Sequence, residues 1–295
     1  MPDAQETQPT AGPVDLTVII CVHNGAATIV RQLEALDRQS WDRPWDVLVV
    51  DNRSTDDTPA VVRAFARSHP RVRTVAAPRS LGLAYARNVG VANTTAPAVA
   101  FCDDDDVVAD GWVAAMGTAL REHPIVASCL DWSRLQSGGR STFQRDGLGE
   151  VFGYKVAAGV SGWQRSLWNA LGGNDEALTF TGEDFDMSIR AYLAHGVSPH
   201  FEPAAVCHVA RRSGRRASFR QARRYGRASV VLYHRYGAGR TDRAAELKRS
   251  AKVWLWLVAH LPMLRSPDEG PLWARRAGLQ IGRLEQSIKS RTLWL

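Results

Sequence analysis

The chain has 295 residues and only four cysteines, Cys21, Cys102, Cys129 and Cys207, far apart and without a CxxC pair. Buried free thiols in a reducing compartment fit that usage. It lacks any run of about 18 apolar residues, so no segment is expected to span a bilayer as a helix. The best apolar stretch, VWLWLVAHLPML (253–264), is too short and carries His260 and Pro262, though it can lie on a membrane surface. The N-terminal MPDAQETQPTAGP has no basic region followed by an apolar one, so a signal peptide is not expected and residues 1–13 read as a disordered leader. The first strand turn lacks GxGxxG, which disfavours a dinucleotide site, and no GxxxxGK[ST] occurs, which removes P-loop chemistry. There is no internal repeat. With 45% apolar and 23% charged residues, the composition is that of an ordered soluble protein.

What is present in the first half is an alternation of short apolar runs with helical patterns. DLTVIICV (15–22), WDVLVVD (45–51), VRTVAA (72–77) and APAVAFC (96–102) read as strands. The stretches 27–39, 56–68 and 83–94 read as helices between them, with Pro59 tolerated in a first turn. Strands without polar alternation, separated by helices, predict an α/β fold with a mainly parallel sheet covered on both faces. The region 130–180 is irregular and Gly-rich. A helix is predicted over 181–196 with Phe185, Ile189, Tyr192 and Leu193 as its apolar stripe, followed by two short strand-like pieces in 197–209. From about Ser218 the pattern is helical and basic.

Ligands of open α/β sheets bind outside the carboxyl ends of the strands. That rule selects His23-Asn24, Asp51-Asn52 and the run Asp103 to Asp106 in AFCDDDDVVADGW. Carboxylates spaced in one turn suit a hard cation such as Mg²⁺ or Mn²⁺, which neutralises a diphosphate. A calcium loop counted from Asp103 fails, because Val108 stands where glycine is needed and Ala114 where glutamate is needed. A solvated acidic turn is the plain alternative.

Four motifs in order, TVIICVHNGAATI (17–29), VVDNRSTDDT (49–58), LGLAYARNVGVANTTAPAVAFCDDDD (81–106) and GEDFDMSIR (182–190), resemble those of the family-two glycosyltransferases over about residues 15–210. The resemblance implies a GT-A fold, a Rossmann-like sheet with flanking helices, and inverting sugar transfer. It implies nucleoside contacts from His23, Asn24, Asp51 and Asn52, and nucleotide-sugar contacts from Arg79, Arg87, Asp103 and Asp104. The DxD motif falls on Asp103-Asp104-Asp105, with Asp103 and Asp105 toward the metal and a 104/106 register as the alternative; His208 would complete the site. Asp184 of GED takes the role of base, beside Glu183. A carboxylate at Asp51 can accept an imide N–H, guanidinium suits phosphate, and the acceptor hydroxyl needs a base. Thr181 to Asp184 also fits a helix capping box. Trp163 either stacks on an acceptor sugar or packs its loop. Asn174 departs from the aromatic residue usual before the "DE" of this segment.

The implied organisation is a glycosyltransferase domain over 14–212, with a nucleotide half 14–106 and an acceptor half 107–212, then a basic helical extension 213–295. The implied partners are a nucleoside-diphosphate sugar and a glycan, lipid-linked or small-molecule acceptor, in the cytoplasm or at the inner face of its membrane. The net charge of +7, concentrated between Arg211 and Lys252, suits a phosphate-bearing partner or an anionic membrane, or a solvated helical face. Trp254, Trp256 and Trp273 either meet a membrane or pack a helical subdomain. Two other functions compete: a metal-dependent nucleotidyltransferase, which gives GED no role, and a non-catalytic nucleic-acid binder, which leaves the acidic rim unexplained.

Overall fold

The computed structural model describes residues 13–132, 147–179, 181–210, 214–291 and 294. Most of the expected leader and the expected division at 212/213 lie outside them.

The strand–helix alternation emerges in the predicted order: β1 (Leu16–Val22), α1 (Ile29–Asp37), β2 (Trp45–Asp51), α2 (Thr58–Ala66), β3 (Val72–Ala76), α3 (Leu83–Ala92) and β4 (Ala98–Asp103). Then come β5 (Val107–Val108), α4 (Trp112–Glu122), β6 (Ile125–Asp131), β7 (Leu148–Val151), β8 (Tyr154–Ala157), β9 (Ser161–Gln164), α5 (Arg165–Ala170), α6 (Glu183–His195) and β10 (His200–His208). Eight strands form one sheet in the order β3-β2-β1-β4-β9-β6-β10-β5, and β7 pairs with β8 separately.

The apolar runs have no polar alternation because both sheet faces are covered. Even-numbered β1 residues Val18, Ile20 and Val22 join Val47, Val49 and Leu33 in one core. Ile19, Leu48, Val50, Phe101 and Trp168 form the other. Each such side chain fully buried contributes about 1.5–3 kcal/mol.

The four strands β3-β2-β1-β4 are mutually parallel. Beyond them the sheet is mixed, because β9 lies antiparallel between β4 and β6. The region read as irregular therefore supplies a central strand. The two strand-like pieces expected in 197–209 are one strand, β10, whose register shifts between Glu202 and Val206.

Helix α6 corrects a second expectation. Tyr192 and Leu193 are exposed at 47% and 56%, while Met187, Ile189 and Ala191 are fully buried. The buried face is turned inward by polar anchors: Asp186 is fully buried and accepts from Arg190 Nε at 2.8 Å, and the Arg190 guanidinium also donates to the carbonyls of Leu171 and Gly173 at 2.6 and 2.7 Å.

The described residues group into two compact units: the sheet with its helices, and the chain after residue 213 together with 151–154 and 181–182. The second unit contains α7 (Arg215–Leu232), a π-helical turn (Tyr233–Gly237), α8 (Arg243–Ala259), a 3₁₀ turn (Leu261–Arg265) and α9 (Gly270–Ser290). Helices α7 and α9 approach at backbone distance: a Cβ on Gly226 would stand 2.2 Å from the Leu279 carbonyl, and one on Gly282 would stand 2.1 Å from that of Arg223. Arg223 and Arg227 both bind Glu285 at 2.6 Å across this contact. Tyr233 stacks on Trp294 with ring centroids 3.9 Å apart.

Candidate active site

Parallel register brings three strand ends to one rim, since Val22 lies opposite Asp51 and Cys21 opposite Asp103. The loops leaving this rim are tied to each other. Asn24, at φ 57°, accepts on Oδ1 from the Thr55 amide at 2.7 Å, and its own amide donates to Ser54 Oγ at 3.0 Å. Buried Asn52 donates to the carbonyls of Ala77 and Ser80 at 2.9 and 2.7 Å and accepts from the Gly82 amide at 2.8 Å. These two asparagines staple the β1, β2 and β3 loops. The Asn52 amide spends both donor hydrogens and its oxygen on backbone groups. His23 is exposed, with Nδ1 donating to the Asn52 carbonyl at 2.9 Å. Asp51 differs from them: its Oδ1 is shielded from solvent and has no hydrogen-bond partner.

The acid run forms a turn braced by α1. Gln32 Nε2 donates to the Asp103 carbonyl at 3.4 Å, Gln32 Oε1 accepts from the Val108 amide at 3.0 Å, and Arg31 donates to the Asp105 carbonyl at 3.1 Å. Thr28 Oγ1 donates to Asp104 Oδ2 at 2.9 Å. A Cβ on Gly25 would stand 2.3 Å from that same oxygen, so this approach requires glycine. Asp106 is buried, accepts from the Ala210 amide at 3.0 Å, and leaves Oδ2 without a partner. Burial, then repulsion from Asp105 and Asp103, holds the Asp104 pKa up at about 6 despite the Thr28 bond. Burial and the Asp103 charge push Asp106 to about 8. Ionising either of these two buried carboxylates beside Asp103 and Asp105 is therefore costly.

The GED segment enters α6. Its Glu183 is 2% exposed and accepts on Oε1 from Arg87 at 3.1 Å, while Oε2 has no partner. Arg87, on α3, also donates to the Gly159 carbonyl at 3.1 Å and lies over the Phe101 ring at 5.1 Å. It is therefore not a surface arginine: its guanidinium is buried against a buried carboxylate. Burial lowers the Arg87 pKa, and Glu183, Asp103 and Asp184 outweigh it, so the net shift is upward. Asp184 is half-buried and accepts from the Phe185 amide at 2.9 Å. Burial and the neighbouring Glu183 raise its pKa to about 7, against the opposing pull of Arg87.

His208 ends β10 beside the acid turn, in register with Val107 and with Asp131. Its Nδ1 donates to Asp131 Oδ2 at 2.8 Å, which directs Nε2 away as the available ligand atom. Arg79 pairs with Glu176 and lies over Tyr85. Asn88 donates to the Asn174 carbonyl at 2.9 Å and accepts from its amide at 2.8 Å, so the residue that breaks the family pattern is held by its backbone. Trp163 is the clear correction. It sits in β9 at 2% exposure, its indole N–H satisfied by Ser161 and its ring edge-on to Trp168, so it offers no face to an acceptor. Thr28, Gln32 and Asp131 were not singled out from the sequence; only Gln32, a polar residue on the apolar side of a predicted helix, carried a signal.

Among the described residues, no three His, Cys, Asp or Glu side chains converge into a ready metal cage. The donor chemistry nevertheless suits a hard divalent ion: carboxylates crowded enough to raise one another's pKa, and a buried oxygen on Asp106 lacking a partner. Such ions are commonly held by one or two carboxylates plus substrate phosphates rather than by a complete protein cage.

The family model described as Glycosyl transferase family 2 matches residues 17–187. The succinoglycan biosynthesis protein ExoO of Rhizobium meliloti is 39% identical over 94 residues, 32% of this chain and 26% of that protein. The pre-mycofactocin glycosyltransferase of Mycobacterium tuberculosis is 28% identical over 216 residues, 68% of this chain and 44% of that protein. The chain thus spans well under two thirds of these curated relatives. Among solved structures, the mannosyltransferase PcManGT from Pyrobaculum calidifontis, in complex with GDP-Man and Mn²⁺, superposes with a TM-score of 0.59 at 20% identity, covering 94% of this chain and 88% of that one. The TarS fragment of S. aureus in complex with UDP-GlcNAc gives 0.55 at 16% identity over 95% and 93% of the two chains. These likenesses establish the GT-A fold.

Proposed function

We propose, from the premise that this chain belongs to glycosyl transferase family 2, that it moves a sugar from a nucleoside-diphosphate donor to an acceptor hydroxyl by a single inverting displacement. The observation that carries the reading is the state of Asp184. It opens α6 half-buried, with its pKa raised to about 7, where a carboxylate can take a proton near neutral pH.

In this reading each rim residue has one task. The shielded, unpartnered Oδ1 of Asp51 accepts an imide N–H of the base. The stapled loops around Asn24 and Asn52 hold the nucleoside cleft in shape, with exposed His23 at its edge. Asp184 removes the acceptor proton as the oxygen attacks the anomeric carbon. The Glu183–Arg87 pair positions it, and Arg87 compensates part of its negative charge against the repulsion of Glu183.

A divalent ion bound at the acid turn would neutralise the departing diphosphate. Asp103 and Asp105 would hold it, with His208 through Nε2. The 104/106 register is the alternative: Asp104 is tied to Thr28, whereas Asp106 accepts from Ala210 on Oδ1 and keeps Oδ2 unpartnered. PcManGT was solved with Mn²⁺, which supports the same class of ion here. Arg79, exposed and paired with Glu176, reaches the donor only by exchanging that partner.

Acceptors of the class handled in glycan or lipid-linked saccharide assembly fit the family, as in the succinoglycan protein it resembles. A donor-hydrolysis and transfer screen across UDP-, GDP- and dTDP-sugars tests the reading. Turnover of at least one donor, with an inverted anomeric product, is expected. A retained configuration would exclude the single displacement.

A further inference from the structure

The second unit carries a feature that sugar transfer leaves unused. Helix α8 is buried along one side only: Ser250 and Leu257 are 3% exposed, Ser250 meets Gln280 of α9, and Trp273 donates its indole N–H to the Leu257 carbonyl. The opposite side is apolar and open. Leu247, Ala251, Trp254, Leu255 and Val258 fall at i, i+4, i+7, i+8 and i+11, one helical stripe. Leu255 and Val258 are 71% and 67% exposed, and Leu261 continues the stripe at 50%.

The charges around the stripe have one sign. Lys248 and Lys252 line one flank and Arg243 the other, Arg265 follows its end, and no acidic residue lies between Leu247 and Arg265. Glu246 is turned away and paired with Arg249. The wider segment has the same bias: residues 211–295 hold 20 of the chain's 37 Lys and Arg but only 5 of its 30 Asp and Glu. The tryptophans divide accordingly. Trp256 is stacked on His260 and covered by Arg276 at 4.0 Å, and Trp273 is tied to α8, whereas Trp254 faces outward.

We infer that the exposed face of α8, centred on Leu255 and Val258 and continued by Leu261 in the turn after it, docks on an anionic lipid bilayer. An apolar stripe rimmed by lysine and arginine lies in the headgroup plane, with the alkyl groups below it and the cations among lipid phosphates. No helix of the described residues is long and apolar enough to cross a membrane, so α8 rests on the surface. Charge complementarity selects this occupant over a second copy of the chain, whose α8 would bring the same positive rim. The inference does not depend on the transfer reading.

Vesicle sedimentation of the full chain tests it, using phosphatidylcholine vesicles with and without about 30 mol % phosphatidylglycerol. Binding to the anionic vesicles is expected, weakened in about 0.5 M salt. L255E/V258E should lower the bound fraction about tenfold, and K248E/K252E should lower it only on anionic vesicles. Unchanged thermal melting and nucleotide binding would show that both variants are folded. Wild-type protein left in the supernatant would overturn the inference, as would L255E/V258E binding like wild type. A concentration-dependent dimer abolished by L255E/V258E, without vesicle binding, would overturn it in favour of self-association.

Discussion

Arg87 and Glu183, 96 residues apart in the chain, meet at 3.1 Å with side chains only 4% and 3% exposed. A charge pair so shielded stands or falls together. Removing one partner leaves the other buried and uncompensated. R87M should destabilise the protein by about 3–5 kcal/mol. R87M/E183L should recover much of that stability while transfer stays impaired, because Asp184 loses its positioning neighbours. Chemical denaturation and steady-state kinetics on both variants separate the two effects.

Asp184 titrates at about 7, raised by burial and by Glu183. As a base it must be ionised, so kcat/KM should fall about tenfold per pH unit below 7 and level off above it. D184N should reduce transfer by about 10²–10⁴-fold and leave donor affinity nearly unchanged. Isothermal titration with the nucleotide checks the second half.

Asp104 and Asp106 bind their protons up to about 6 and about 8 in the folded state, against 3.8 ordinarily. With folded values raised, the folded state holds more protons than the unfolded one between those limits. Stability from these groups is greatest below about pH 4 and declines as pH rises toward 8. A divalent ion held at the acid turn would oppose that decline. The rise in Tm given by Mn²⁺ with UDP or GDP should therefore be larger at pH 8 than at pH 6, and D103A/D105A should abolish it. Differential scanning calorimetry reads this directly.

N52A removes three hydrogen bonds that close the loop from Ala77 to Gly82. The backbone groups left behind are partly reachable by water, so a loss of about 2 kcal/mol is expected, with a raised donor KM. A variant with unchanged stability would show the loop to be held by other contacts.

In G282A, the new methyl group would meet the Arg223 carbonyl 2.1 Å away. Helices α7 and α9 must then separate, and Tm should drop by several degrees. Hydrogen exchange should accelerate in α7 and α9 before it does in the sheet.

Strands β1 to β4 were legible because burial on both faces writes itself as unbroken apolar runs, and β2 begins and ends where the run WDVLVVD does. The rim carboxylates Asp51 and Asp103 were legible because they end such runs. Three features were not. SGWQ is too short and too mixed to announce a central strand, so Trp163 read as a loop residue. An asparagine after a strand looks the same whether it binds a ligand or staples a neighbouring loop, and only the positions of Ala77, Ser80 and Gly82 decide for Asn52. The Arg87–Glu183 pair joins segments with no local relation in sequence.

The antiparallel insertion of β9 also has a consequence during synthesis. Ala98 of β4 finds its outer partner in Gln164, 66 residues later. The four parallel strands and their helices can assemble while β4 still presents an open edge, and the sheet cannot be completed until β9 has left the ribosome. Such long-range closure slows folding and exposes an unpaired strand. The nascent chain is therefore most vulnerable to misassociation in the interval between translating its acid turn and translating β9.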